Sequence, residues 1–279
     1  MTRAIVLTST FLRHRFVVNR LSEALDVVGV WQEEKSFRPE RYAQTVEDDM
    51  VIARHFRDRD ASEAQYFAAD HQMRLDASAL CRSVVADGCN EVGEIETMRG
   101  LAPDVVLVFG TGILRRALID AFDGRILNLH LGLSPYYRGA GTNFWPLVNR
   151  EPEYVGATIH YLDAGIDTGP IVAHVRPDIR EEDGPHDIGN RTIIAAAAIF
   201  AEAALAHHRH GLATVPQAVV GRLYQRKDFS AGAVRCLYRQ FETDMVAEYL
   251  KEKAERDARV PLIALARTAG ATARPGGGR

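Results

Sequence analysis

Apolar residues are grouped along this chain in short runs rather than spread evenly. AIVLT at 4–8 is a brief apolar run rich in β-branched residues, which predicts a buried strand. A helical stretch follows (FLRHRFVVNRLSEAL), with Ser9 or Thr10 as its expected cap, and VVGVW at 27–31 reads as the second strand. Strand, helix and strand in that order open a doubly wound parallel sheet. Residues 33–75 break the pattern. They are rich in Arg, Asp and Glu and poor in apolar residues, which predicts one or two charged helices forming an insertion, a flap or a solvated face. The α/β pattern resumes with the strand DVVLVFG (104–110), the helix LRRALIDAF and the strand ILNLHLGL (126–133). Two strands at about 155–162 and 170–176 flank a loop, and a long alanine-rich helix runs to Gly211. Glu182 and Asp183 are placed near its positive end and His207, His208 and His210 near its other end. One short strand-like run, GRLYQ, and charged helical sequence complete the chain. The expected organisation is a main domain over 1–211, an extension over 212–268 and a disordered tail over 269–279. The expected fold is α/β and Rossmann-like. Its sheet is rich in parallel strands and has helices on both faces, and the small C-terminal extension is mostly helical.

Composition adds exclusions. With 47% apolar and 25% charged residues in 279, the chain has the make-up of an ordinary globular protein. A formal net charge of −3 gives no sign of a broad nucleic-acid surface. Cys81, Cys89 and Cys236 are odd in number and lack metal-ligand spacing, so neither a disulfide framework nor a bound metal is expected, and a cytoplasmic setting fits. Neither a signal peptide nor a membrane span is read from the sequence.

The chemistry concentrates in 126–170. Asn128 and His130, two apart on a strand, project from the same face. They lie near the carboxyl end of a central strand, where open α/β sheets bind ligands. An amide donor beside an imidazole suits acyl transfer: one steadies an oxyanion while the other moves or stabilises a proton. Asp163 and Asp167 come from the glycine-punctuated loop LDAGIDTGP, and a buried Asp near His130 would orient the ring. Each residue also has a plain structural reading. Asn128 suits a strand edge, His130 a satisfied core histidine, and Asp167 an Asx turn. Arg138 is an acceptor-site candidate among Tyr136, Tyr137, Phe144 and Trp145, and Arg13, His14 and Arg15 could meet a phosphate at a helix start. Adjacent histidines at 207–210 point apart on a helix, which argues against a metal there.

NLHLGLSPYYRG followed by GATIHYLDAGIDTG resembles the formyltransferases that use 10-formyltetrahydrofolate. That family shows Asn-x-His, a Ser-Leu-Leu-Pro loop, an Arg-Gly pair, a Gly-x-Thr-x-His strand, and a loop carrying Asp before a small residue and Gly. The match is strongest over 104–176. It implies formyl transfer to a small-molecule amine, with Asn128, His130 and Asp167 catalytic and no metal. It also implies a folate pocket formed by Thr111, Gly112, Ile113, Leu114 and Ile119 with Asp163, Ala164, Gly165 and Ile166. His160, on the strand feeding the Asp loop, is expected on the acceptor side or behind the catalytic groups, as is Tyr136 beside Arg138. Two departures bear on the acceptor. Gly132-Leu133-Ser134-Pro135 replaces Ser-Leu-Leu-Pro, and Thr8–Leu12 stands where the purine enzyme has a glycine-rich phosphate loop. The charged helical tail leaves no room for the β-barrel of the tRNA enzyme, so neither nucleic acid nor membrane is an expected partner; a homodimer stays open. The expected acceptor is a nucleotide-linked amino sugar. The alternatives are a hydroxylated amino-acid amine, or hydrolysis of the same folate by an enzyme that lacks an amine pocket.

Overall fold

The structure is a computed structural model that describes residues 1–35, 38–165, 167–217 and 221–268. Among the described residues, nine strands run in chain order: β1 Arg3–Thr8, β2 Asp26–Glu33, β3 Leu80–Val84, β4 Val105–Val108, β5 Ile126–His130, β6 Tyr137–Gly139, β7 Ala157–Tyr161, β8 Ile171–Val175 and β9 Arg222–Tyr224. The α-helices of the described residues are α1 Leu12–Ser22, α2 Val46–Tyr66, α3 Val92–Gly100, α4 Arg116–Ala121, α5 Phe144–Val148, α6 Pro185–His210, α7 Ala231–Glu242, α8 Met245–Lys251 and α9 Lys253–Ala258. Seven strands form one sheet in the order β3-β2-β1-β4-β5-β7-β8. The first five are parallel, whereas β7 runs antiparallel to both β5 and β8.

Both faces of the sheet are covered, which explains the unbroken apolar runs of the central strands. Ala4 and Val6 of β1 join Val105 and Leu107 of β4 in a core beneath α1 and α6. The alternate residues Ile5, Leu7, Val106 and Val108 pack with Ile95 and Met98 of α3 and Leu118 of α4 on the other side. The small side chains of α6 (Ala196, Ala197, Ala203, Ala204) are fully buried in the first core. Against the sequence expectation, α6 is long and apolar enough to cross a membrane by length and composition; 56% of its most apolar window is buried in the protein interior, as for a core helix.

Several local expectations are corrected. Neither Ser9 nor Thr10 caps α1: the N-cap is Phe11, without a side-chain bond. The Ser9 hydroxyl is fully buried and donates instead to the Glu33 carbonyl at 2.8 Å, a bond its burial requires. Glu182 and Asp183 precede α6 rather than start it. Asp187 closes its first turn on Gly184 N–H, and Asp183 pairs with Arg191 at 3.1 Å. The charged 33–75 segment contains one 21-residue helix, α2, capped by Thr45. It is no free surface: Ile52, His55 and Glu63 form a buried stripe on α2, which packs against α6 and α7. α7 and α8 share a third core with the earlier chain, where Leu237, Met245 and Tyr249 meet Leu147, Val155 and Ile188. The tail from 269 lies outside the described residues.

Candidate functional site

Asn128 and His130 stand at the carboxyl end of β5, on one face as the strand period requires. The antiparallel register of β7 adds what the sequence could not supply. It sets His160 directly opposite Asn128, and Thr158 opposite His130. Asn128 Nδ2 lies 3.0 Å from His160 Nε2, and His160 Nδ1 lies 2.8 Å from the Tyr161 carbonyl oxygen. A carbonyl only accepts, so Nδ1 carries the ring proton and Nε2 accepts from the Asn128 amide. That bond fixes which way the Asn128 amide faces. Burial lowers the His160 pKa; Asp167 opposes this and His130 reinforces it, so the ring is neutral and suited to accepting.

Asp167 reaches the cluster from the loop between β7 and β8. Its Oδ1 lies 3.4 Å from His130 Nδ1 and 3.8 Å from His160 Nε2, and its side chain is 16% exposed. Its backbone is left-handed (φ 52°), a conformation Asp tolerates better than most residues. The loop is braced from within. Asp163 Oδ1 accepts from Gly165 N at 3.0 Å and from Thr168 Oγ1 at 2.8 Å, so Asp163 is a loop cap. A Cβ on Gly169 would lie 1.8 Å from the Tyr161 carbonyl oxygen, which holds the loop flush against β7. Ala164 and Gly165 are exposed at the loop tip, and Ile166 lies outside the described residues.

No local pattern pointed to Thr142. Its hydroxyl lies 3.2 Å from His130 Nε2 and donates to the Leu131 carbonyl, so both ring nitrogens of His130 face oxygen atoms. Thr142 also explains one departure from the family pattern. A Cβ on Gly132 would lie 2.6 Å from Thr142 Cβ and 2.8 Å from His130 Nε2. Any side chain at 132 would therefore displace Thr142 or the imidazole. The same loop is tied to β7 by Thr158, whose hydroxyl donates to Gly132 O at 2.6 Å and accepts from Ser134 N at 2.9 Å. Behind it, His174 Nε2 donates to Ser134 O at 2.8 Å, and burial lowers the pKa of this ring to about 4.

The expected folate segment divides. Thr111, Gly112 and Ile113 form an open turn after β4, with Ile113 69% exposed. Gly112 N–H donates to Glu33 at 2.6 Å, and the Ile113 carbonyl accepts from Asn90 at 3.0 Å. Leu114 faces the core with Leu118 and Phe122, and Ile119 is also buried, so their side chains are packing rather than lining. Arg138 sits on β6, which pairs with β9, and Tyr136 packs edge-on against Tyr154. Neither lines the cavity whose walls include Leu131, Asn143, Arg13 and Arg59. Arg13 is itself largely buried and bonded to Glu63, rather than exposed at a helix start. His207 turns inward to the Tyr161 hydroxyl and His208 outward toward Asp104, so they diverge. Among the described residues, no group of three or more His, Cys, Asp or Glu is placed to hold a metal.

The order of these elements, with Asn128, His130 and the Asp loop around the end of β5, is that of a formyl-transfer fold. The formyl transferase family model matches residues 65–204, half of the chain, and the chain belongs to that family. Methionyl-tRNA formyltransferase of Pelobacter propionicus is 35% identical over 109 residues, covering 39% of this chain and 34% of that protein. The enzyme of the same name from Paraburkholderia phymatum is 28% identical over 169 residues, 60% of this chain and 51% of that one. The chain thus matches about a third to a half of the length of these curated relatives. Among solved structures, a 4-N formyltransferase from Francisella tularensis aligns with a TM-score of 0.52 at 14% identity, over 82% of this chain and 78% of that one. Glycinamide ribonucleotide transformylase 1 from Symbiobacterium toebii aligns with a TM-score of 0.51 at 19% identity, over 78% and 95%. At such identities these likenesses establish the fold.

Proposed function

We propose that the chain transfers the formyl group of 10-formyltetrahydrofolate to a primary amine of a small molecule. The observation that carries this reading is the convergence of Asn128, His130 and Asp167 at the end of β5, with Asn128 oriented by His160. The acceptor nitrogen attacks the formyl carbon, and the carbonyl oxygen becomes an oxyanion between Asn128 and His130. The amide N–H of Asn128 not bonded to His160 donates to that oxyanion. Asp167 pairs with His130 and helps remove the proton from the attacking amine. The C–N bond to the folate then breaks, and its nitrogen leaves with a proton. The folate ring lies between the open turn at 111–113 and the Asp loop.

A nucleotide-linked amino sugar is the first acceptor to test, and a hydroxylated amino-acid amine the second. The first turn after β1 supports a route away from the purine enzyme's acceptor. Two hydroxyls at its start are already spent on backbone: Thr8, the last residue of β1, on Phe109 O and Ser9 on Glu33 O, both at 2.8 Å. Three free cysteines are in keeping with a reducing, cytoplasmic setting.

The test follows folate absorbance with 10-formyltetrahydrofolate and nucleotide-linked amino sugars, hydroxyornithine, glycinamide ribonucleotide or no acceptor. Deformylation that requires one amine, and that falls about 100- to 1,000-fold in Asn128→Ala, is expected. Asp167→Ala should abolish it as well. Equal deformylation without any amine would instead identify a hydrolase.

A further inference from the structure

The turn that follows β4 is held from across the sheet. Gln32 of β2 pairs with Thr8, the last residue of β1, and β1 lies between β2 and β4. Glu33 and Lys35 therefore lie beyond the end of the intervening strand, where side chains can cross from β2 to the turn. Glu33 Oε1 accepts from Gly112 N–H at 2.6 Å, and Lys35 Nζ donates to the Gly110 carbonyl. An acceptor and a donor two apart in the chain thus hold an N–H and a C=O two apart in the turn. The absence of side chains on the turn matters as well. Gly110 has φ 79°, and a Cβ there would lie 2.5 Å from Nε2 of the buried His14. A Cβ on Gly112 would lie 2.7 Å from Glu33 Oε1 and 3.0 Å from Asp87 Oδ1.

A buried carboxylate is a poor choice for holding a fold together. Glu33 is 3% exposed, and its side chain holds a single backbone N–H. Its Oε2 has no conventional partner. The Cys89 thiol beside it, pushed up to about 12 first by burial and then by Glu33, is a weak donor at most. A buried charge with an unsatisfied oxygen costs stability that a well-packed apolar side chain would not. Lys35 is also drawn out of water: burial, then Arg13, lowers its pKa to about 8, while Glu33 opposes the shift. What the two side chains secure is a turn with polar groups to spare. Among the described residues, the backbone N–H and C=O of Thr111 make no hydrogen bond within the chain. A ligand that reads backbone groups binds tightly only if they are already in place, because ordering them on binding subtracts from affinity.

We infer that Glu33 and Lys35 are positioning residues for the folate: they hold the turn at 110–112 in the shape the ring meets. This rests on the proposed placement of the folate between that turn and the Asp loop, and it names the residues that set the affinity of the same site.

Tetrahydrofolate binding is measured by calorimetry, well below the unfolding temperature of each protein, for wild type, Glu33→Gln, Glu33→Ala and Lys35→Met. Exchange of the Gly112 amide is followed by NMR without ligand. Glu33→Ala should raise the tetrahydrofolate Kd at least about tenfold, the weight of one charge-assisted hydrogen bond. Its Gly112 amide should exchange faster than in wild type. Glu33→Gln keeps an oxygen for that N–H and should retain most of the affinity and the protection. Lys35→Met keeps the apolar stem, loses the donor to Gly110 O and should also weaken binding; it carries the test if Glu33→Ala does not fold. An affinity within about threefold of wild type in either folded variant overturns the inference. So does an equal loss in Glu33→Gln, or weaker binding by Glu33→Ala with Gly112 exchange unchanged. If wild type binds no tetrahydrofolate, the folate placement fails and the inference falls with it. Wild-type binding that neither variant alters removes the clamp alone.

Discussion

His160→Ala probes the orientation of Asn128 without touching Asn128 itself. In the folded protein the Asn128 amide has its buried partner in His160 Nε2 at 3.0 Å, and the His160 side chain is only 1% exposed. Removing the imidazole leaves an amide N–H without its acceptor, a loss of about 1–3 kcal/mol. If Asn128 recovers that energy by turning away from the formyl oxygen, the cost appears in the transition state. It corresponds to a fall in kcat of about 5- to 150-fold. That is less than loss of the oxyanion donor itself, about 100- to 1,000-fold. With the folate placed as proposed, between the turn at 111–113 and the Asp loop, its KM should change little. His160→Gln places an acceptor oxygen near the position of Nε2 and should recover part of kcat. The double variant Asn128→Ala/His160→Ala should be no slower than Asn128→Ala, since the second change acts only through the first. The assay is single-turnover folate absorbance, with thermal unfolding to confirm that each variant is folded. A folded His160→Ala that keeps kcat within about threefold of wild type, well inside that range, would refute the reasoning. So would strict additivity in the double variant.

Two further outcomes follow from the geometry. Gly132→Ser restores the usual family residue, yet its Cβ would press on Thr142 and His130 at 2.6 and 2.8 Å; kcat should fall at least about tenfold. A fully active Gly132→Ser would contradict the packing argument. Acid stability is the second. His55, His174 and His186 have pKa values lowered to about 3, 4 and 4, first by burial. The unfolded chain therefore takes up protons before the folded one, so their stability contribution is full above about pH 6.5 and is lost as pH falls toward 4. For His174 the loss at pH 5 is on the order of 2 kcal/mol. Urea midpoints at pH 7.5 and 5 should differ less in His174→Gln than in wild type, and an unchanged difference would count against a buried neutral ring.

Much of the site was legible because it depends on local periodicity. Two residues apart on a strand share a face, so Asn128 and His130 belonged together before any fold was known, and a continuous apolar run such as 104–110 reads as a doubly covered strand. The glycines around Asp167 marked a tight loop for the same local reason. Pairing between distant segments was not legible. The antiparallel register that sets His160 on Asn128 joins residues 32 apart, and the approach of Thr142 to His130 depends on the missing side chain at Gly132. The charged segment 33–75 read as surface because its apolar positions are sparse, and only packing against α6 and α7 turned His55 and Glu63 inward. Leu114 and Ile119 fitted a folate wall by position alone, while burial assigned them to the core. The sequence by itself determined the strand–helix alternation, the Asn-x-His face and the loop that offers Asp167, since each follows from the backbone geometry of a few adjacent residues. The tertiary structure alone decided which partners orient those groups and which charges line a cavity, because those depend on distances between segments that no local pattern encodes.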